Sequence, residues 1–94
     1  MKILLVFLGS LQYDLGQMEL TYNFKEEASV KSAVQELSAL PKYKELSKFF
    51  TDSYESTRSV LVFINEQDIS VLRGMDSPLQ QGDKLTFIPV IHGG

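Results

Sequence analysis

One stretch with helical periodicity lies between stretches with strand periodicity, and this arrangement constrains the fold more than any other feature. Its apolar residues recur at i, i+3, i+4 and i+7 and therefore share one helix face: Val30, Ala33, Val34 and Leu37. Ser29 directly precedes the pattern and is the expected N-cap, because its hydroxyl can accept from a free backbone N–H of the first turn. One amphipathic helix lying on one face of a sheet is an α+β architecture.

Two strand patterns come before this helix. Residues 3–8 are almost continuously apolar, which is typical of a strand covered on both faces. Residues 18–24 alternate apolar and polar side chains, which indicates a half-buried strand. Gly9 and Ser10 interrupt the first pattern, and residues 14–16 are predicted to lie in a loop, so the two strands are expected to form a hairpin.

The segment after the helix contains a proline and a polar stretch. Pro41 either ends the helix or starts a second short one that carries Leu46, Phe49 and Phe50, whose expected use is to fill the core. Residues 51–59 are polar and are predicted to form a surface loop.

Further strand patterns follow in chain order: residues 60–64, residues 69–72 and residues 84–90. A turn-like cluster at residues 65–68 separates the first two. The order β-β-α-β-β predicts a ubiquitin-like β-grasp over residues 1–90, with a mixed four- to five-stranded sheet and one main crossing helix. Residues 91–94 are expected to be a flexible C-terminal diglycine tail.

The residue content excludes several functions. The chain has no cysteine, so it can form no disulfide, thiolate zinc site or cysteine nucleophile. Its 12 acidic residues outnumber its 9 lysines and arginines, which argues against the basic surface that nucleic-acid binding needs. No apolar run reaches the length of a membrane span. We therefore expect one soluble, cytoplasmic domain that binds neither nucleic acid directly nor a membrane.

The last strand is expected to end at the surface. Its alternation places Leu85 and Phe87 in the core and leaves Ile88 exposed or shared with a partner. Pro89 lacks an N–H and is predicted to stop ladder pairing at that point. Beyond Val90 the chain is expected to leave the body of the domain.

The chain ends in His92, Gly93 and Gly94, directly after an apolar strand. An extended tail of four or five residues reaches about 15 Å, enough to enter the active site of another protein. Glycine allows close approach of a second backbone because it has no Cβ. A carboxylate is inert until it is converted to a mixed anhydride with a nucleotide, and a glycyl group is then the least hindered acyl group. The terminal pair therefore suggests that the C-terminus is itself the reacting group, as a substrate and not as a catalyst.

Three motifs in order carry a family resemblance: I-N-x-x-D at residues 64–68, L-x-x-G-D at residues 79–83, and the terminal diglycine. This pattern resembles the ubiquitin-like sulfur carriers. That group comprises the small subunit of molybdopterin synthase, the thiamine sulfur carrier and the ubiquitin-related modifier of tRNA thiolation. The resemblance covers the whole chain in element order and is sharpest over residues 60–94.

The tail combines features of two subfamilies. Pro89 and Val90 resemble the end of the molybdopterin synthase small subunit, Phe-Pro-Pro-Val-small-Gly-Gly, but Ile88 replaces its first proline. Ile91 and His92 give the glycines an offset that resembles the ubiquitin-related modifier, which usually ends Leu-His-Gly-Gly. The sulfur acceptor therefore stays open between a pterin precursor and a tRNA uridine.

The resemblance implies a function for the terminus. An ATP-dependent ubiquitin-activating-type enzyme would adenylate Gly94, and sulfur transfer would make a thiocarboxylate, with ATP used by this partner and no cofactor held by the chain. Other implied partners are the large subunit of molybdopterin synthase or a tRNA thiolation enzyme and, in some members, lysines of target proteins. Gly93 and Gly94 are the implied functional terminus. The implied partner-binding residues are Ile88, Val90, Ile91 and His92.

Other chemistry is poorly supported. With one histidine, placed in the tail, no Ser-His-Asp arrangement can be interpreted, and no glycine-rich phosphate loop is present. Four carboxylates occupy turn positions without metal-site spacing: Glu66, Asp68, Asp76 and Asp83. Three hypotheses remain: a non-enzymatic sulfur carrier, a protein modifier attached through an isopeptide bond, and a β-grasp interaction module whose glycines have no role.

Overall fold

A computed structural model describes residues 1–25 and 27–90. Five strands are present: β1 (Lys2–Phe7), β2 (Glu19–Asn23), β3 (Val60–Ile64), β4 (Gln67–Asp68) and β5 (Lys84–Pro89). Two α-helices are described, α1 (Gly9–Leu15) and α2 (Val30–Ser38). Three short 3₁₀ segments accompany them: Pro41–Phe49, Ile69–Val71 and Gly74–Asp76.

The strands form one mixed sheet in the order β2-β1-β5-β3-β4. Strands β1 and β5 are parallel, with Leu5 opposite Leu85 and Phe7 opposite Phe87. The other neighbouring strands are antiparallel. A parallel pair needs a long crossover connection, and α2 lies within it. The predicted α+β sheet with one main crossing helix is therefore confirmed.

The start of α2 follows the sequence prediction. The Ser29 hydroxyl accepts from the Ser32 N–H at 3.1 Å, and the Ser32 hydroxyl accepts from the Ser29 N–H at 2.9 Å. This reciprocal pair satisfies two backbone donors at the helix N-terminus. The four apolar residues that predicted the helix are all buried in the core: Val30, Ala33, Val34 and Leu37.

The predicted loop at residues 14–16 is wrong over most of its length, because the chain forms α1 from Gly9 to Leu15. Leu11 and Leu15 are four residues apart, so they share one helix face, and both are buried. Gly16 closes the helix in the left-handed region at φ +71°. The strands on either side still pair antiparallel, as the hairpin prediction required.

The predicted strand at residues 69–72 is also wrong. The Asp68 carboxylate accepts from the Ser70 N–H at 2.9 Å and so turns the chain into the 3₁₀ segment Ile69–Val71. Ile69 is buried, whereas Val71 and Leu72 are exposed. Only the first residue of this short apolar run therefore packs in the core. Strand β4 lies directly before this segment, at Gln67–Asp68.

The segment after Pro41 takes the second of the two predicted forms, a short helix of 3₁₀ type. Its Leu46 and Phe49 are buried, and so is Phe50 directly after it, as expected for core residues. Within residues 1–25 and 27–90, no helix is both long enough and apolar enough to cross a membrane.

Candidate functional site

Strand β5 presents two different surfaces. Leu85 and Phe87 are fully buried, and the Phe87 ring stacks on Phe7 with centroids 5.8 Å apart. Ile88 is half-buried and alternates to the other side of the sheet, as predicted. Ile88 therefore lies outside the core, on the partly exposed side of the sheet.

Ile88 belongs to an apolar surface on the side of the sheet opposite the core. Cross-strand pairing sets Thr86 between Val6 and Phe63, and Ile88 opposite Leu61. We call this surface the outer face and define it by six residues: Val6, Leu8, Leu61, Phe63, Thr86 and Ile88. A shallow groove of about 300 Å³ runs along it, and all but Leu61 line the groove. Leu61 is 42% exposed and so adds apolar surface to the outer face.

A charged pair borders one end of the groove. The Lys84 ammonium lies 3.0 Å from a Glu66 carboxylate oxygen, and both residues also line the groove. Exposed pairs of this kind contribute little to stability.

The motif residues Asn65 and Asp83 hold the start of β5. The Asn65 amide donates to an Asp83 carboxylate oxygen at 3.1 Å, while its carbonyl oxygen accepts from the Lys84 N–H at 3.0 Å. The other Asp83 oxygen accepts from the Gln80 N–H at 2.8 Å. These contacts give the I-N-x-x-D and L-x-x-G-D motifs a structural role. Within the part of the chain that the structure describes, no group of three histidines, cysteines or carboxylates could hold a metal ion.

The prediction that Pro89 stops ladder pairing is wrong for the β3 side of β5. The Val90 N–H donates to the Ser59 carbonyl at 2.8 Å, one residue beyond the proline. Antiparallel strands exchange backbone bonds at every second residue, and Pro89 occupies the position between two bonded pairs, opposite Val60. The missing N–H therefore costs the β3–β5 ladder nothing, whereas the pairing of β5 with β1 ends at Phe87.

The last described residues are held on both sides. On the β1 side, the Leu8 N–H donates to the Phe87 carbonyl at 3.1 Å. Gly9, which begins α1 at φ +56°, lies so close that a Cβ there would be 3.7 Å from Cδ of Pro89. On the β3 side is the bond from Val90 to Ser59. We call residues 87–90 with these contacts the tail root.

Of the predicted site residues, the structure places Ile88 on the outer face and Val90 in the tail root, where it is half-buried. The remaining four lie outside the described residues: Ile91, His92, Gly93 and Gly94. Val6, Leu8 and Phe63 were not predicted to share a surface with Ile88. The alternation within each strand shows which residues point away from the core. It shows that they share one surface only when the order of the strands in the sheet is also known.

The sequence matches the family model described as Urm1, ubiquitin related modifier, over residues 3–94. The chain belongs to the Urm1 family. This membership confirms the predicted resemblance to the ubiquitin-like sulfur carriers, and the match extends through the terminal glycines.

Named relatives agree with the Urm1 assignment. Ubiquitin-related modifier 1 of Encephalitozoon cuniculi is 32% identical over 92 residues, which cover 94% of this chain and 96% of that protein. A ubiquitin-related modifier 1 homologue of Drosophila willistoni is 46% identical over 35 residues, so the match spans 37% of this chain and 35% of that relative. The solution structure of Urm1 from Trypanosoma brucei has a TM-score of 0.79 at 28% identity and covers 99% of this chain and 95% of that one. The predicted β-grasp is therefore confirmed.

Proposed function

We propose that this Urm1-family chain is a sulfur carrier that reacts through its own C-terminus. An ATP-dependent ubiquitin-activating-type enzyme adenylates Gly94: a carboxylate oxygen attacks the α-phosphorus of ATP, and pyrophosphate leaves. Sulfur at the oxidation level of hydrosulfide then attacks the carbonyl carbon, AMP leaves, and a thiocarboxylate results. The observation that carries this proposal is the family match that runs through residue 94 and so includes the diglycine.

The proposed acceptor is a tRNA uridine. The matched family is the ubiquitin-related modifier, and the His92 offset resembles the tail of that family. The net charge of −3 makes the chain a poor ligand for RNA itself. A tRNA thiolation enzyme therefore holds the RNA, and the carrier delivers the sulfur to that enzyme. In this scheme the chain is a co-substrate, and the activating enzyme supplies the ATP site.

The outer face and the tail root are the proposed contact with the activating enzyme. Ile88 lies on the outer face two residues before Val90, the last described residue. An enzyme that covers the outer face is thus adjacent to the point from which residues 91–94 continue. Four extended residues span about 14 Å, which suits an active site at the bottom of a narrow channel.

A second candidate is a protein modifier, favoured by the similarity to ubiquitin-related modifier 1 of Encephalitozoon cuniculi. Its first step is the same adenylation of Gly94. A lysine ε-amine of a target protein then attacks the carbonyl carbon, AMP leaves, and an isopeptide bond forms. The two functions share one activated terminus and differ only in the nucleophile.

Intact-mass analysis tests the proposal. The protein is incubated with the activating enzyme of its own host, ATP and a sulfur source, beside a matched variant that lacks Gly94. A product in which one sulfur replaces one oxygen, absent from the truncated variant, supports the carrier. Higher-mass conjugates that also require Gly94 support the modifier. An unchanged mass with an enzyme that is active on another substrate would contradict both.

A further inference from the structure

We infer that the hydroxyl of Thr57 is a positioning group for the C-terminal tail. It orients Ser59, whose backbone carbonyl accepts the Val90 N–H at 2.8 Å in the tail root. This inference rests on the proposed function, because positioning matters only if the terminus reacts. Thr57 itself touches no reacting atom.

The hydrogen bonds of Thr57 are fully assigned by the geometry. Its Oγ1 donates to the Phe49 carbonyl at 2.8 Å, which uses its one hydrogen. Its two lone pairs then accept from the Ser59 N–H at 3.2 Å and from the Ser59 hydroxyl. Because the Thr57 hydrogen is already committed, Ser59 must be the donor in the bond between the two hydroxyls. One threonine hydroxyl therefore ties the N–H and the hydroxyl of Ser59 to the body of the domain.

The other end of this connection is the carbonyl of a core residue, Phe49. Phe49 ends the 3₁₀ segment Pro41–Phe49 and is buried, and its carbonyl also accepts from the Thr57 N–H at 3.3 Å. Phe50, the next residue, packs edge-on against Phe87 of β5 with ring centroids 6.3 Å apart. A series of hydrogen bonds thus connects the core to the tail root, from Phe49 to Thr57 and from Thr57 to Ser59.

Strand ends open easily, so the last ladder bond of β5 is the weakest one. Each opening of the Val90–Ser59 bond frees Val90, which the activating enzyme must then order, and ordering a residue reduces affinity. The apparent affinity falls in proportion to the fraction of molecules that hold the bond closed. A loosened Ser59 should therefore raise KM for activation and leave kcat unchanged.

Three substitutions separate this role from general support of the loop. Thr57→Val keeps the shape and removes the hydroxyl, whereas Thr57→Ser keeps the hydroxyl. Thr51→Val is the matched control, since the Thr51 hydroxyl accepts from the Glu55 N–H at 3.0 Å and pairs with Ser53 in the same loop. The control removes bonds of the same kind, six residues earlier in the chain.

The first measurement is hydrogen exchange of the Val90 amide by NMR, which needs no partner enzyme. We expect exchange about fivefold faster in Thr57→Val, the effect of losing roughly one net hydrogen bond, and near-normal exchange in Thr57→Ser and Thr51→Val. Equal rates in Thr57→Val and the wild type, or equal acceleration in Thr51→Val, would overturn the inference.

The second measurement is the kinetics of ATP–pyrophosphate exchange by the activating enzyme. We expect a KM about twofold higher for Thr57→Val, with kcat unchanged and KM restored by Thr57→Ser. Faster Val90 exchange with an unchanged KM would refute the positioning role. If wild-type protein is not activated at all, the proposed function fails, while the exchange data still decide whether Thr57 holds the tail root.

Discussion

The side-chain oxygen of Asn65 accepts a hydrogen bond from the Lys84 N–H at 3.0 Å, which joins the turn after β3 to the first residue of β5. Asn65 adopts φ +55°, a left-handed conformation that asparagine tolerates better than most residues. The same residue therefore adopts the backbone conformation that the turn requires and, through its side chain, fixes the start of β5, the strand that leads to the C-terminus.

Asn65→Ala should lower the free energy of unfolding by about 2 kcal/mol, through lost hydrogen bonds and strain at positive φ. Asn65→Gly loses the same bonds without the strain and should cost about half as much. Urea denaturation of both variants measures the difference. Equal losses would mean that the left-handed conformation has no energetic role.

Ile88→Thr should weaken activation without unfolding the protein, because threonine keeps the β-branched shape and adds a polar atom to the outer face. We expect KM for the activating enzyme to rise about fivefold or more, as for a residue in the centre of an interface. Val71→Thr is the matched control, since Val71 is 72% exposed and lies outside the outer face. Similar kinetics for both variants would exclude the outer face as the contact.

Leu11→Ala should destabilise the protein by about 2–4 kcal/mol, because Leu11 is fully buried and its truncation leaves a cavity under α1. Gln12→Ala, at an exposed position of the same helix, should change stability by less than about 0.5 kcal/mol. Thermal unfolding distinguishes the two. A small effect of Leu11→Ala would indicate that α1 contributes little to the core.

Lys48 should add a small stability that depends on salt and pH. Its ammonium lies 3.0 Å from Asp14 and 3.2 Å from Glu45, and hydrogen bonding to Asp14, then to Glu45, raises the pKa of Lys48. A raised lysine pKa stabilises the fold below the unfolded-state value and loses that effect as the pH rises through the folded-state value.

Because this pair is exposed, Lys48→Met should cost less than about 1 kcal/mol at neutral pH. The cost should shrink in high salt and disappear at strongly alkaline pH. Lys44→Met, in the same 3₁₀ segment, is the matched control, and urea denaturation across salt and pH is the measurement. A loss that persists in high salt would point to packing of the lysine stem instead of charge.

What the sequence determined by itself was local. Periodicity located β1, β3, β5 and α2, and the Ser29 cap marked the helix start, because these signals depend on neighbours within a few residues. The terminal glycines and the motif order were likewise sufficient to predict the family.

Tertiary structure alone decided the rest, because it depends on residues far apart in the chain. Helix α1 is stabilised by the packing of its two buried leucines against the core. Seven residues are too few for their sequence pattern to predict a helix. Pro89 left the ladder with β3 intact because the register placed it between bonded pairs. The outer face exists because the strand order brings Val6, Phe63 and Ile88 together, although they are separated by most of the chain.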